Sequence, residues 1–177
     1  GIETEDTPLI RRCIEAAKEA GALFENAIDK GLCRLDDLFD ENYVPIAGTN
    51  PQQVTTRFSR LTDKLMPAIQ EGMLDFDPRV TFCAAVDRNG YLPTHNKIYS
   101  HPQSDDPVWN AANCRNRRIF NDRTGLAAGR STRPFLLQTY RRDMGGGNFA
   151  LMKDLSAPIH VKGRHWGGLR IGFKIAP

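Results

Sequence analysis

Between Asp106 and Gly125 the chain reads Asp-Pro-Val-Trp-Asn-Ala-Ala-Asn-Cys-Arg-Asn-Arg-Arg-Ile-Phe-Asn-Asp-Arg-Thr-Gly, placing four arginines and four asparagines in one segment. Guanidinium groups supply forked, permanently charged donors, and asparagine amides supply both donors and an acceptor. Trp109 and Phe120 add flat apolar walls. Together these residue types suit a pocket for a small polar or anionic molecule. The apolar residues of the segment follow no amphipathic period, so folding alone gives little reason for its composition. An arginine-rich surface loop is the competing reading.

Other chemistries find less support. The chain has no G-x-S-x-G, Walker loop, H-E-x-x-H or Rossmann fingerprint, and Gly145-Gly-Gly147 lacks the lysine and following helix of a phosphate loop. Asp87 and Asp154 read as turn or strand-end residues rather than an acid/base pair. No catalysis is expected. Cys13, Cys33, Cys83 and Cys114 show no paired spacing, which argues against covalent haem attachment and a zinc knuckle. Cys13 falls on the apolar stripe of a helix and Cys83 within a buried strand, both as small core residues, and unpaired thiols fit a reducing compartment.

The elements that must position the arginines follow from periodicity. Thr7-Pro8 reads as an N-cap followed by proline at the first helical position. Ile10, Cys13, Ile14, Ala17, Gly21, Phe24 and Ile28 then recur at three- and four-residue steps up to Lys30-Gly31. A short helical turn is expected around Leu35 to Phe39, and a loop over Tyr43 to Thr49. Asn50-Pro51 repeats the cap pattern ahead of a second main helix marked by Phe58, Leu61, Leu65 and Ile69, kinked by Pro67. From Arg79 the period becomes strand-like. Val80 to Val86, a turn at Asp87-Arg-Asn-Gly90 and Tyr91 to Asn96 predict a hairpin, with Pro93 at an edge or bulge. Pro134 to Asp143 and Phe149 to Leu155 predict a second hairpin; Ala157 to Val161 and Trp166 to Ile175 predict a third. The expectation is one α+β domain over residues 1–177, mainly helical over 1–77, with a mostly antiparallel, about five-stranded sheet and the Arg/Asn-rich crossing segment over 78–177.

Charge divides at the same place. Residues 1–77 hold 8 Lys+Arg and 15 Asp+Glu, net −7, and the remainder holds 16 and 6, net +10. The basic half lacks a helix-turn-helix pattern, a zinc finger or an RNP-type aromatic motif, so no nucleic-acid partner is expected. No apolar run approaches the roughly 18 residues of a membrane span, so direct membrane insertion is not expected.

The succession of a long helix, Val80-Thr-Phe-Cys-Ala-Ala-Val-Asp-Arg-Asn-Gly-Tyr91, Lys153-Asp-Leu-Ser-Ala-Pro-Ile159 and Gly163-Arg-His-Trp-Gly-Gly-Leu-Arg170 resembles the PAS-like and Cache-like sensor domains of bacterial methyl-accepting chemotaxis proteins. The resemblance runs from about Thr4 to Phe173. Within it, Tyr91 to Asn96, Asn113 to Asp122 and Gln138 to Gly147 are similar to a subfamily found at the end of chemoreceptors, after the signalling coiled coil. The signalling hairpin itself is absent from these 177 residues.

The resemblance implies a cytoplasmic sensor domain, the usual Cache arrangement giving the periplasmic alternative. It further implies a homodimer through the N-terminal helix, with Ile14, Phe24 and Ile28 divided between the sheet and the partner chain, and a signal passed along that helix to the receptor's coiled coil. Ligands of such domains lie between the concave sheet face and the crossing segment. That geometry implies ligand contacts from Trp109, Asn113, Arg115, Arg117, Arg118 and Phe120 in the segment, and from Tyr91, His95, Tyr140 and Arg142 in the strands. Arginine stacked on an aromatic ring beside Asp122 or Asp143 would equally serve as an internal clamp. No cofactor is expected. The alternative is a gas or redox sensor holding haem b on His95, with Met144 or Met152 as second axial ligand, and a lesser one is zinc on histidine with Cys114 as the nearest soft donor. His165 is the other histidine such a site would consider.

Overall fold

The computed structural model of the protein describes residues 3–145 and 147–175, with the backbone alone for residues 143–145. The three- and four-residue spacing of apolar residues winds α1 (Thr7–Asp29), which buries Leu9, Cys13, Ala16, Ala17, Ala20, Phe24 and Ala27 along one side. Its N-cap is Asp6 rather than Thr7, and the Asp6 carboxylate makes no capping bond. It is drawn away by Arg79, which donates to it at 2.7 Å, and by the ammonium of Lys153. Thr7 Oγ1 instead accepts from the Thr4 N–H. Gly31, at φ 75°, turns the chain out of the helix in the left-handed conformation that favours glycine.

After the single turn α2 (Leu35–Leu38), two residues of β1 (Val44–Pro45) pair with β2 (Val54–Thr55). Asn50-Pro51 lies in the connection between them and starts no helix. The expected second helix is two helices, α3 (Ser59–Leu65) and α4 (Pro67–Phe76), divided at Met66 because Pro67 has no N–H to continue the ladder.

Four strands make the main sheet: β3 (Val80–Asp87), β6 (Leu136–Gly145), β7 (Asn148–Val161) and β8 (Arg164–Lys174), in the order β3-β8-β7-β6 and antiparallel throughout. The fold is α+β as expected, but β7 is one continuous strand shared by the second and third predicted hairpins. The first predicted hairpin does not form. Tyr91–Leu92 (β4) pairs instead with Arg118–Ile119 (β5), leaving four strands in the main sheet.

The outer edge of β3 is closed by side chains. Asn96 Oδ1 accepts from the Cys83 N–H at 2.8 Å, and Gln70 Oε1 accepts from the Ala85 N–H at 2.9 Å. Both amides are fully buried, and their NH2 groups donate onward, Asn96 to the Gln70 carbonyl and Glu71, Gln70 to the Thr94 carbonyl. Two side chains from α4 and the segment after β4 thus do the work of a neighbouring strand. That explains why an apolar strand with a reverse turn behind it forms no hairpin.

Alternation along the strands gives the sheet two faces. Cys83, Ala85, Leu155, Ala157, Ile159, Leu169, Ile171 and Phe173 join α1, Phe58, Met66 and Trp166 in the principal core. Trp166 packs its ring at 5.1 Å from Phe24 and donates to the Leu38 carbonyl. Phe24 is therefore wholly committed to the sheet, whereas Ile14 and Ile28 stay partly accessible. On the other face lie Phe82, Ala84, Val86, Tyr140, Asp154 and Arg170, covered by the crossing segment with α5 (Pro107–Asn113) and α6 (Arg123–Arg130).

Replacing Asn96 or Gln70 by alanine leaves a buried strand N–H without an acceptor. Each substitution should lower the unfolding free energy by about 1–3 kcal/mol, measured by urea denaturation. A loss under a few tenths of a kcal/mol would mean that the strand edge is satisfied in another way. A second prediction concerns the turn after β3, where Asp87 accepts from the Asn89 and Tyr91 N–H groups and from Tyr43 Oη. Burial nonetheless raises its pKa to about 6. Because the folded state favours the protonated form, its stabilising contribution is complete below pH 4 and is lost as pH rises through 6. Relative to Asp87→Asn, the wild type should lose on the order of 1–3 kcal/mol across that window. Parallel stability–pH curves for the two proteins would refute this.

Candidate functional site

A cleft whose two lobes share four lining residues opens between the second sheet face and the crossing segment. The inner lobe, about 220 Å3, is lined by Phe82, Leu92, His95, Arg115, Phe120, Asp122, Thr124, Tyr140 and Arg170. The outer lobe, about 380 Å3, shares Phe82, His95, Arg115 and Tyr140 and adds Tyr99, Val108, Ala111, Ala112 and Arg142.

Local sequence explains how the segment reaches this position. Asp106 caps α5, its Oδ1 accepting from the Val108 N–H at 3.0 Å and the Trp109 N–H at 3.3 Å, with Pro107 in the first turn. This turns Val108, Ala111 and Ala112 toward the outer lobe. The Arg115 N–H donates to the Tyr99 carbonyl and the Phe120 N–H to the Gly90 carbonyl, tying the segment to the chain on both sides of β4. α6 then crosses the sheet on small residues. Gly168 of β8 lies so close beneath it that a side chain there would meet the Ala128 carbonyl at 2.5 Å.

Arg115 is the centre of the cleft. Its guanidinium stands 5.0 Å from the centre of the Phe120 ring, Arg118 stands 4.8 Å from the same centre, and both donate to the Ala111 carbonyl. Among the described residues no carboxylate lies within ion-pair distance of either one. Burial lowers the pKa of Arg115, helped by Arg142 and Arg170, and burial with the nearby Arg115 lowers that of Arg118 to about 10. Guanidiniums placed so that their charge is disfavoured gain most from an incoming anion.

Arg170 behaves differently, because Asp154 of β7 lies beside it with no exposed surface. Nε and Nη2 of Arg170 donate to Asp154 Oδ2 at 3.0 and 2.7 Å. Asp154 is thus a mid-strand ion-pair partner beneath the cleft and not a strand-end residue. Burial still raises its pKa, with Arg170 opposing.

His95 is buried, with its ring between Phe82 at 5.6 Å and Tyr99 at 4.9 Å. Its Nδ1 accepts from the Asn96 N–H at 2.7 Å. A neutral imidazole accepting at Nδ1 carries its proton on Nε2. Burial, reinforced by Arg115, Arg170 and Arg118, lowers its pKa to about 3.

The arrangement fits haem or metal ligation poorly. A metal-bound histidine donates from its free nitrogen, whereas here Nδ1 is an acceptor and Nε2 carries the proton. Met152 is buried on β7 opposite Tyr140, and the side chain of Met144 lies outside the described residues. Cys114 is buried, with its thiol 3.9 Å from Asn110 Oδ1. Among the described residues no group of three or more His, Cys, Asp and Glu side chains could hold a metal ion. His165 lies elsewhere, on β8, with Nδ1 against Arg88 and its ring 5.3 Å from His160.

Of the ten residues expected to touch ligand, His95, Arg115, Phe120, Tyr140 and Arg142 line the cleft, and Arg118 backs it through Phe120. The other four are placed elsewhere. Arg117, at φ 61°, turns away to donate to both oxygens of Asp63 at 2.9 and 2.7 Å and to the Pro93 carbonyl. Tyr91 belongs to the principal core, its hydroxyl bonded to Ser59 Oγ and the Val54 carbonyl. Trp109 lies against His101 at 5.8 Å, and Asn113 donates to the Trp109 carbonyl. The clamp reading also holds in part, since the Phe120 ring is stacked by two arginines; the side chain of Asp143 lies outside the described residues.

Phe82, Tyr99, Thr124 and Arg170 are cleft residues that the sequence reading did not select. For Arg170 a signal existed: it is the one charge in Gly167-Gly-Leu-Arg-Ile-Gly-Phe173. A charge isolated in an apolar strand calls for an opposite charge beside it, but Asp154, which follows Lys153, is not singled out by sequence in that way.

Nitrogen-detected NMR of the imidazoles should show His95 as the Nε2-protonated tautomer with no titration from pH 5 to 8. A midpoint near 6.5 would contradict the buried, Nδ1-accepting ring. Compared with known proteins, the chain matches no protein-family model and no curated protein sequence.

Proposed function

We propose that this chain is a PAS/Cache-like sensor domain of a chemotaxis receptor, binding a small polar or anionic molecule in the cleft between sheet and crossing segment. The observation that carries the reading is Arg115, a largely buried guanidinium lining both lobes, flanked by Arg118 and without a carboxylate partner among the described residues. Phe82, Tyr140 and Phe120 give apolar walls, and His95 Nε2–H gives a neutral donor. A charged donor surrounded by rings and fixed dipoles suits selective anion binding. The resemblance of the strand motifs to chemoreceptor sensor domains supplies the receptor context.

The role assigned is binding rather than catalysis. His95 is held neutral among arginines and lacks the acid partner that would orient it as a general base. The four free thiols support a cytoplasmic setting. Ligand binding shifts the balance between two arrangements of sheet and crossing segment, and α1 relays it to a signalling coiled coil. α1 also forms the homodimer contact, through the flank where Ile14 and Ile28 remain partly accessible.

Two single variants test the pocket. Arg115→Gln should weaken binding of the best anion found in a thermal-shift screen by about tenfold or more while the melt stays cooperative. Arg117→Gln should lower the melting temperature through loss of its Asp63 pair and leave affinity within about twofold. The reverse pattern would move the site away from this cleft.

A further inference from the structure

The two outer edges of the main sheet differ. On β3 the side chains of Asn96 and Gln70 accept from the N–H groups of the strand. On β6 the ten residues Leu136–Gly145 pair with β7 along one edge, and among the described residues no backbone group of β6 bonds to anything along the other. From Leu136 to Arg142 the strand runs without a bulge, and it contains neither proline nor lysine, residues that commonly keep a strand edge from pairing with another chain. Its two charges, Arg141 and Arg142, stand together at one end of that stretch. An open edge of this kind is a template for one more antiparallel strand.

Beside that edge the α1 side of the sheet is apolar. Leu137 and Leu151 share a face with the core residue Leu155, yet both are exposed, as is Phe149, whose ring lies 4.5 Å from the Arg141 guanidinium. α1 borders this shelf. Cys13 Sγ reaches the Leu169 carbonyl of β8, whereas Gly21 lies against the His160 carbonyl of β7. The side of the helix that carries Gly21 with Ile10 and Ile14 is therefore the one turned toward β6, and those two isoleucines are only partly covered. A bare strand edge and an apolar shelf follow the same line.

A second copy of this chain answers both. About a twofold axis normal to the sheet, β6 pairs antiparallel with itself, each residue meets one of its own face, and shelf meets shelf. Charge restricts the register. An axis at Arg141, Arg142 or Asp143 sets a charge against its own like, whereas an axis at Gln138, Thr139 or Tyr140 sets both arginines against uncharged residues. An extended acidic segment of another protein would answer Arg141 and Arg142 but bring no helix flank to Ile10 and Ile14.

Resting on the homodimer reading above, we infer that the dimer seam is β6 against β6, with the axis between Gln138 and Tyr140. The sheet then continues across both protomers, α1 of each flanks the seam on one side, and the two clefts open on the other. Tyr140 and Arg142, which line the outer lobe, stand at the seam.

The test is sedimentation of the purified chain over a concentration series, with single cysteines to read the register. The wild type should dimerise. One of Gln138→Cys, Thr139→Cys and Tyr140→Cys should form a disulfide-linked dimer on mild oxidation, well above the wild-type background from the partly accessible Cys33. Thr139→Lys, which brings like charges together at the seam, should weaken dimerisation about fivefold or more with the melt unchanged. Absence of cross-linking at all three positions in a dimeric protein overturns the β6 seam; if Ile14→Lys dissociates that dimer, the α1 contact stands without it. A chain that stays monomeric at every concentration overturns the seam and the homodimer together, and leaves the β6 edge to a different partner.

Discussion

Asp154 has no exposed surface, and the sheet has to be built so that its charge is answered. An unpaired carboxylate at such depth costs several kcal/mol, so Arg170 is held beside it on the neighbouring strand, and the register Asp154↔Gly172 and Ser156↔Arg170 brings the two together diagonally. The guanidinium is then available to the Phe82 ring, 5.7 Å away, and forms part of the inner lobe. Glycine stands at 168 and 172 on the same strand face, leaving room for α6 above one and for the Phe82 ring above the other. The ion pair, the aromatic wall and the approach of the crossing helix are therefore parts of one packing solution.

The arginine-rich segment divides its labour within that solution. Arg117 anchors the segment to α3 through Asp63, and Arg118 and Arg115 enclose Phe120. Asparagines serve the backbone: Asn110, almost wholly buried, accepts from the Ser104 N–H and donates to the carbonyls of Asn50 and Ser104. A composition that reads as a ligand inventory is in part a set of substitutes for regular hydrogen bonding in a segment with short helices and two-residue strands. Among the described residues Arg115 and Arg118 are members whose folding partners leave their charge unanswered, and of the two Arg115 lines the cleft.

What was legible in the sequence follows the range of the forces involved. α1 shows in its own periodicity because a helix of 23 residues repeats its apolar face many times, and the apolar runs of β3, β7 and β8 show for the same reason. The hairpin expected after β3 failed on a nonlocal contact, since Asn96 and Gln70 take the hydrogen bonds that a partner strand would have taken. α5 carried a readable start in Asp106-Pro107, the same logic that marked Thr7-Pro8, but its seven residues are too few to show a period. Within the site, residue type identified arginines and aromatics, while direction was decided by backbone: the positive φ of Arg117 sends it to Asp63, and β4 pairing turns Tyr91 into the core.

β7 is the element on which the two sides of the sheet meet. Met152 and Asp154 are buried on the cleft side of the sheet, Lys153 between them reaches the Asp6 carboxylate at the start of α1, and Leu155, Ala157 and Ile159 pack beneath the same helix. For the proposed sensing role a ligand must interact unequally with two arrangements of these parts. An anion in the inner lobe does so directly, because it competes with Asp154 for the donors of Arg170. Weakening that pair leaves a carboxylate that cannot remain charged at zero exposure without a partner. It must either take up a proton or move with its strand toward a new donor. Movement of β7 carries Lys153 with it, and with Lys153 the carboxylate that Arg79 also holds at the first turn of α1. The proposed coupling therefore needs no long pathway: three consecutive residues of one strand, Met152, Lys153 and Asp154, lie between the cleft side of the sheet and the anchoring of the helix.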